Sequence, residues 1–443
     1  MLIFWQECKH ILRSKFLWVV MMLCALLGVF FAVTRITDDD RENYEVAHVY
    51  VQKYGTAFTK DDVETYRDIY LHETQAGKNF QEGLKEAGLP FPTEEEMIDS
   101  NGERKTEFGQ KLDALIQKDF QNKDFQNHIT ILQSIRSYLG ISDFAATRST
   151  NPYSGLSMET WLMEKLSYRL VPLSDWKTAM LKDAVKAEEE RIQEILREKE
   201  KQYLVPLDNA TYTNTGWFTF PLDLMGQGLV WAAAFVLAGI AAGRSLGGSF
   251  QGNMQGVVYL GKPGRRFGLY KVLAVLAVSA AMYLFLSFFV LLVYVLLCRT
   301  DLYWNVPLSA VTTWSGAIVS RFFITIGGYW LLQLGVGLAA VLIMALIFCA
   351  AMLVTKNFYA GSAISVGVSL LLLGIIQMVP AAQNSFLVMG SPIGLYLNVS
   401  KFLQQDFLFS ILPHFEGIML LIWCGIAAVL GVVGFMRFRK AAL

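Results

Sequence analysis

The sequence predicts an all-α integral membrane protein with six transmembrane helices and a large, mainly helical extracellular domain between the first and second. Three observations support this fold class. Hydrophobic residues make up 54% of the 443 residues and charged residues only 17%, a composition rich in apolar side chains for a soluble protein. Six apolar runs approach or exceed the roughly 17–25 residues that a helix needs to cross a bilayer. Acidic and basic residues are also segregated along the chain.

Residues 1–15 predict a helix that lies in the membrane–water interface. Aromatic and aliphatic residues alternate there with charged ones, and the residues that mark this pattern are Trp5, Glu7, Lys9, Arg13 and Lys15. In such a helix the apolar side chains enter the lipid and the charged ones stay in the cytosol. The basic residues also suit an ordinary positive-inside anchor, and the sequence leaves that second interpretation open.

Residues 16–33 form the first predicted transmembrane helix, which is apolar without a break from Leu17 to Val33. A cleaved signal peptide is the alternative interpretation. The run is longer than the usual hydrophobic core of a signal peptide, and no small-residue cleavage motif separates it from the acids at 38–40. We therefore expect a retained anchor.

Residues 34–221 form the predicted extracellular domain. They contain 33 acidic and 23 basic residues, whereas the remainder of the chain contains 5 and 15. No cysteine lies in this domain, so it must be stabilised by its own apolar core rather than by disulfides. The segment is long enough to form such a core.

Helical patterns cover most of this domain. Acids after Thr59 predict a helix N-terminus and a helix that continues through Gln75. Further helical apolar periods occur at 108–118, 125–139, 158–170 and from Ser174 to about Val205. The Gly- and Pro-rich stretch at 88–92 predicts a break. The domain contains no catalytic or metal-binding motif, so we expect it to bind a ligand or to gate an exit.

Residues 222–443 hold the predicted transmembrane helices two to six. Their apolar runs are Leu222–Ala242, Val272–Leu297, Trp330–Val354, Gly361–Val379 and Gly417–Phe435. Basic residues concentrate before the first span, between the second and third, and after the sixth. By the positive-inside rule both termini are cytoplasmic, and the acidic domain lies outside a bacterial cell membrane.

The cytoplasmic loop at 243–271 contains a partial match to a phosphate-binding loop, from Gly256 to Pro263. That motif ends in a Ser or Thr whose hydroxyl binds magnesium, and Pro263 has no hydroxyl. The motif also requires a preceding strand in a soluble nucleotide-binding fold, and this loop joins two membrane spans. We therefore expect that the chain does not hydrolyse ATP by itself.

The chain resembles the permease subunits of type-2 ABC exporters. The resemblance rests on the entry Glu7-x-Lys9-x-x-Leu12-Arg13-Ser14-Lys15, on the Gly-rich loop through Pro263-Gly264-Arg265-Arg266 to Lys271, and on six spans with a large insertion after the first. It implies that the loop at 243–271 contains a coupling helix for a separate ATPase subunit, which binds ATP and Mg. It also implies a pore formed as a homodimer or as a heterodimer with a similar permease.

The resemblance assigns the ATPase-coupling contact to polar, glycine and basic residues of this loop. They are Gln251, Gly252, Asn253, Gln255, Tyr259, Lys262, Arg265 and Arg266. Loops of this family commonly carry an acid near their start, where this chain has Gln251 and Asn253. The resemblance implies no cofactor or metal bound by this chain.

Within the predicted spans, charged residues are almost absent, which argues against an ion-driven carrier. The notable polar residues are Gln227, Gln333 and Gln377. They suit a substrate path for an amphipathic molecule, and they equally suit hydrogen bonds between helices.

The function that the sequence favours is a membrane-spanning permease that exports a peptide, lipid or drug-like molecule using a separate ATPase. The alternative is a membrane sensor or immunity protein that binds an extracellular ligand without transporting it. Five clustered spans favour the permease, because a receptor rarely needs them. The acidic domain would attract a cationic peptide.

Overall fold

A computed structural model describes residues 2–34, 38–57, 61–92, 107–121, 175, 179, 182, 224–247, 267–306, 324–378, 390–397 and 414–440. Over these ranges the protein is all-helical and contains no β-strand. The predicted all-α class is confirmed for this part of the chain.

The α-helices of the described ranges are α1 (Leu2–Leu12), α2 (Lys15–Thr34), α3 (Asp38–Tyr54), α4 (Asp62–Glu73), α5 (Gln75–Ala87), α6 (Glu107–Gln121), α7 (Leu224–Ala242), α8 (Phe267–Cys298), α9 (Ile326–Thr355), α10 (Phe358–Met378), α11 (Pro392–Leu397) and α12 (Phe415–Lys440). A π-helical turn, Gly243–Gly247, follows α7, and a 3-10 turn, Thr300–Tyr303, follows α8.

The six predicted apolar runs all coincide with helices, namely α2, α7, α8, α9, α10 and α12. Among the described residues, three helices are long and apolar enough to cross a membrane: Phe267–Leu297, Ile326–Thr355 and Phe415–Arg437. A fourth candidate arises if Ile3–Leu12 and Lys15–Phe30, which are bent by 61°, form one span. These long apolar helices indicate a membrane protein.

Helix α9 is the centre of the bundle. It packs against α7, α8, α10, α11 and α12. The most apolar stretch of α9 is 72% buried within the protein, whereas the corresponding stretches of α8 and α12 are 33% and 17% buried. The three helices are similarly hydrophobic. Since lipid is as apolar as a leucine side chain, hydropathy cannot decide which helix is enclosed. Close packing decides it, and small residues such as Ala340, Ala345 and Ala350 are buried on α9.

Helix α10 approaches α9 closely because Gly361 has no side chain. A Cβ atom at this position would lie 3.1 Å from the Cα atom of Met352 and 3.1 Å from Oγ1 of Thr355. The contact therefore involves the backbone of α9, and an added methyl group requires the two helices to separate.

Helices α3, α4 and α5 form a small cluster with an aromatic core. Tyr50, Tyr66, Tyr70 and Phe80 are almost completely buried in it. The Tyr50 and Tyr66 rings lie 5.7 Å apart, and the Tyr70 and Phe80 rings pack edge to face at 6.1 Å. Aromatic pairs at these distances add to the stabilisation from burial, and this core contains no disulfide.

The helix predicted to continue through Gln75 ends earlier, at Glu73. Thr74 interrupts it in an extended conformation, and its side-chain oxygen accepts a hydrogen bond from the backbone N–H of Gly77. Thr74 therefore caps α5, a further helix that the sequence analysis did not predict. Other predictions for this region are confirmed, since α5 ends at a left-handed Gly88 and α6 covers the predicted 108–118.

The other helices predicted for the extracellular domain, at 125–139 and 158–170, lie outside the described residues. In the segment from Ser174 to Val205 the structure describes Asp175, Ala179 and Lys182, which are helical and exposed.

Replacing Gly361 with alanine is expected to lower the free energy of unfolding by about 1–3 kcal/mol, because the added methyl group overpacks the contact with α9. Gly367 on the same helix provides a matched control, since a Cβ there would have nothing within 4 Å. Gly367→Ala should leave stability unchanged or raise it by up to about 1 kcal/mol. Denaturation of the purified variants in detergent measures both values. Equal effects would contradict the close contact.

Candidate functional site

Helix α1 packs along the first turns of α8, at the end of the bundle where α7 and α9 also end. Cys8 and Ile11 of α1 are buried against the bundle, whereas Trp5 is 60% exposed. The helix therefore has a buried face and an exposed face, and its aromatic Trp5 faces away from the protein. Lys9, Arg13 and Lys15 are exposed.

Glu7 departs from the expectation of a solvated charge on this helix. Its carboxylate lies 3.5 Å from Nζ of Lys271 at the start of α8, and it accepts a hydrogen bond of 3.2 Å from the hydroxyl of Ser245. Nζ of Lys271 also donates to the carbonyl oxygen of Ser245, at 2.6 Å. These three residues, which we call the polar junction, connect three segments that are far apart in sequence.

The polar junction is shielded from solvent. The side chains of Lys271 and Glu7 are only 9% and 13% exposed, and Ser245 is fully buried. A buried charge is costly unless it is paired and hydrogen-bonded. Removing one partner of such a pair therefore destabilises strongly, whereas replacing both with apolar groups is often nearly neutral. The junction thus fixes the relative positions of its three segments more than it adds net stability.

Ser245 lies in the π-helical turn at Gly243–Gly247. A π-turn is wider than an α-turn and is frequent at functional sites. In this turn Gly243, Ser245, Leu246 and Gly247 are buried, while Arg244 is exposed. The turn contacts α1, α8, α9 and α10, so the last described residues before the segment 248–266 are enclosed by the bundle.

The opposite end of α8 has an aromatic contact with the α3–α5 cluster. Tyr303, in the 3-10 turn after α8, is fully buried, and its ring lies 6.0 Å from that of His48 on α3. The residues that directly follow this turn are hydrogen-bonded to the start of α9. The backbone N–H groups of Ile326 and Gly327 donate to the carbonyl oxygens of Val306 and Trp304. The α3–α5 cluster is therefore attached to the α8–α9 connection.

Burial also governs the ionisation of the tyrosines at this contact. It raises the pKa of Tyr50 to about 12, with a further contribution from the negative charge of Asp62. Burial likewise raises the pKa of Tyr303 well above its usual value. The hydroxyl of Tyr50 donates to the carbonyl oxygen of Ala57.

Three aromatic rings connect this turn to α8 and α9. Trp304 stacks on Trp330 of α9 at 6.5 Å, and Trp330 meets Phe288 of α8 edge to face at 5.4 Å. Aromatic residues of this kind are typical of membrane–water interfaces. The turn is thus held by both helices rather than extending freely from them.

The predicted coupling residues, Gln251, Gly252, Asn253, Gln255, Tyr259, Lys262, Arg265 and Arg266, lie outside the described residues. So do the side chains of Gln227 on α7 and Gln377 on α10. Gln333 is described, and it is fully buried on α9. It is enclosed by its own chain, and nearby the hydroxyl of Tyr283 on α8 donates to the carbonyl oxygen of Leu334.

Sequence reasoning did not identify Ser245, Lys271 and Tyr303 as site residues. Lys271 was visible as the base at the start of a span, and Glu7 is the one acid before the first span. A single acid among many bases at one predicted membrane face indicates that it pairs with one of them, but the sequence does not say with which. Because Ser245 contributes partly through its backbone carbonyl, no side-chain pattern could reveal its role.

Among the described residues, no group of three or more His, Cys, Asp or Glu side chains is arranged to hold a metal ion. Comparisons with protein-family models, with curated proteins and with solved structures find no match to this chain.

Replacing Lys271 with methionine is expected to lower the free energy of unfolding by about 3–5 kcal/mol, because Glu7 keeps a buried charge without its ion-pair partner. Adding Glu7→Gln should restore most of this loss. Thermal and denaturant unfolding of the single and double variants in detergent measures the coupling. Arg299→Gln is the control, since it breaks the exposed pair with Asp301 and should cost less than about 1 kcal/mol. Additive effects of the two junction substitutions would contradict a buried pair.

Proposed function

We propose that this chain is the permease subunit of an ATP-driven exporter, with six transmembrane helices, cytoplasmic termini and residues 34–221 outside the cell. The observation that carries this proposal is the position of the polar junction. Ser245 lies just before the segment 248–266 and Lys271 just after it, and Glu7 connects both to the N-terminal helix.

This arrangement suits a loop that receives force. A load applied to the loop at 243–271 reaches the bundle at Ser245 and Lys271, where the buried hydrogen bonds make α1, the π-turn and α8 move together. Exposed ion pairs at the ends of the loop would not make these segments move together, because such pairs contribute little stability and rearrange easily. In the proposed mechanism, closure of two ATPase subunits loads this loop and switches the pore between inward and outward access.

Helix α8 then carries the displacement to the outer face. Its 32 residues extend about 48 Å, which exceeds the roughly 30 Å of a hydrocarbon core. The polar junction is at one end and the Tyr303 contact is at the other. A tilt of α8 therefore shifts the α3–α5 cluster relative to the bundle, which supports a gating role for the extracellular domain.

The pore is proposed to form between two copies of this chain, or between this chain and a similar partner. Helices α2 and α12 carry large exposed apolar side chains, for example Leu26, Leu421 and Val429, which a second copy or lipid can cover. Gln333 is enclosed within the single chain, which favours its role in packing over a role in the substrate path. The substrate class remains an amphipathic peptide, lipid or drug.

Membrane topology is a direct test of this arrangement. Lys78 on α5 and Gln6 on α1 are both exposed, and each can be replaced by cysteine in a variant that lacks the native cysteines. A membrane-impermeant maleimide added to intact cells should label Lys78→Cys and should label Gln6→Cys only after lysis. Labelling of both, or of neither, in intact cells would exclude the proposed topology.

The ATPase partner provides the decisive test of function. The tagged full chain, purified from its native membrane, should carry an ATP-hydrolysing subunit. A variant with Tyr259→Ala, Arg265→Glu and Arg266→Glu should lose that subunit, because these changes remove the proposed coupling contact. Lys78→Glu, on the opposite side of the membrane, should retain it. A full-length, folded chain with no ATPase partner would favour a sensor or immunity protein instead.

A further inference from the structure

Three exposed basic side chains and three exposed aromatic side chains lie close together in sequence on either side of the bend between α1 and α2. Lys9 and Arg13 lie on α1, Lys15 begins α2, and all three are exposed. Trp5, Phe16 and Trp18 are the exposed aromatic residues of the same two segments. We call this set of six residues the basic elbow, and we propose that it binds the phosphate of an anionic phospholipid headgroup.

The faces of α1 are arranged in an order that suits a lipid. At about 100° per residue, the face with the buried Cys8 and Ile11 and the partly buried Phe4 is followed by a stripe with Trp5 and Leu12, and then by a stripe with Lys9 and Arg13. When the aromatic stripe enters the acyl region, the basic stripe is placed at the level of the headgroups. Amphipathic helices with this order lie in the interface and are attracted to anionic lipids.

The geometry of the elbow is fixed by its own contacts. The indole N–H of Trp18 donates to the carbonyl oxygen of Leu12 at 2.7 Å, which connects α2 to the end of α1. The hydroxyl of Ser14 accepts from the backbone N–H of Leu17. The ammonium group of Lys9 lies 5.7 Å from the ring centre of Trp5, on the same exposed side of α1. These contacts fix the bend, and the bend keeps the cations close to the start of the apolar run of α2.

The charges of the elbow are not neutralised by the described part of the protein. Arg13 and Lys15 form no ion pair there, and Glu7 is the one acidic residue that the described residues contribute to this end of the bundle. Glu7 is turned inward and is committed to Lys271. Arg244 and Arg437 are exposed at the same end, so the positive field extends beyond the elbow. An anionic surface is the partner that such a field favours.

This inference does not require transport, because it depends only on the elbow lying at a membrane surface. The alternative occupants are inorganic phosphate and a protein partner such as an ATPase subunit. The exposed aromatic rings favour a lipid, since a free phosphate has no apolar part to contact them. A phospholipid satisfies the cations and the rings at once.

The test uses the purified full chain in detergent and short-chain phosphatidylglycerol as the probe, with binding followed by native mass spectrometry and by thermal unfolding. Wild-type protein should bind phosphatidylglycerol more tightly than short-chain phosphatidylcholine, and salt should weaken the binding. Each lysine or arginine near an anionic surface contributes about fivefold in affinity. The triple variant Lys9→Gln, Arg13→Gln, Lys15→Gln should therefore bind roughly 100-fold more weakly.

A matched triple variant controls for net charge. Lys78→Gln, Lys85→Gln, Lys118→Gln removes three exposed cations from α5 and α6 and should bind as wild type does. If the elbow triple variant does not fold, Arg13→Gln alone should show the fivefold loss. The proposal is overturned if the two triple variants behave alike, if phosphatidylcholine binds equally well, or if inorganic phosphate alone gives the same stabilisation. Loss of an ATPase subunit with unchanged lipid binding would assign the elbow to a protein partner.

Discussion

Among the described residues, a buried ion pair between Glu7 and Lys271 joins three segments that are distant in the chain. A lysine at the start of an apolar helix must either reach water or find an acid, and Lys271 is enclosed by α1 and by the π-turn. Its ammonium group can be satisfied there only if the N-terminal helix docks and the turn presents its carbonyl oxygen. The pair therefore specifies how three separate segments assemble, which is the best-supported role of buried polar groups.

The two ends of α8 are stabilised by different kinds of contact, and each suits its surroundings. One end uses a charged pair with two hydrogen bonds, which are directional and tolerate little displacement. The other end uses tyrosine, histidine and tryptophan rings, which pack over a range of angles. A rigid joint on one side and an adaptable joint on the other would let a helix tilt without losing either attachment. This combination supports the proposed transmission of movement across the membrane.

The apolar helices differ in burial although they are alike in composition. Helix α9 is enclosed, whereas α12 and α2 expose long apolar side chains along most of their length. In water such surfaces would indicate a protein partner. In a membrane, lipid covers them at no cost, so the exposed faces alone identify no partner. The basic elbow is different, because charged groups at a membrane surface do distinguish between lipids.

The sequence by itself located the apolar helices and indicated a membrane protein, but it predicted neither α3 nor α5. Uninterrupted apolar runs located α2, α7, α8, α9, α10 and α12, since a backbone in lipid must satisfy its own hydrogen bonds within a helix. It also missed the break at Thr74, which caps α5. Only the tertiary structure decided that α9 is central, that Glu7 turns inward to Lys271, and that Tyr303 joins the α3–α5 cluster. These contacts connect residues that are distant in the chain, and local periodicity carries no information about which distant surfaces meet.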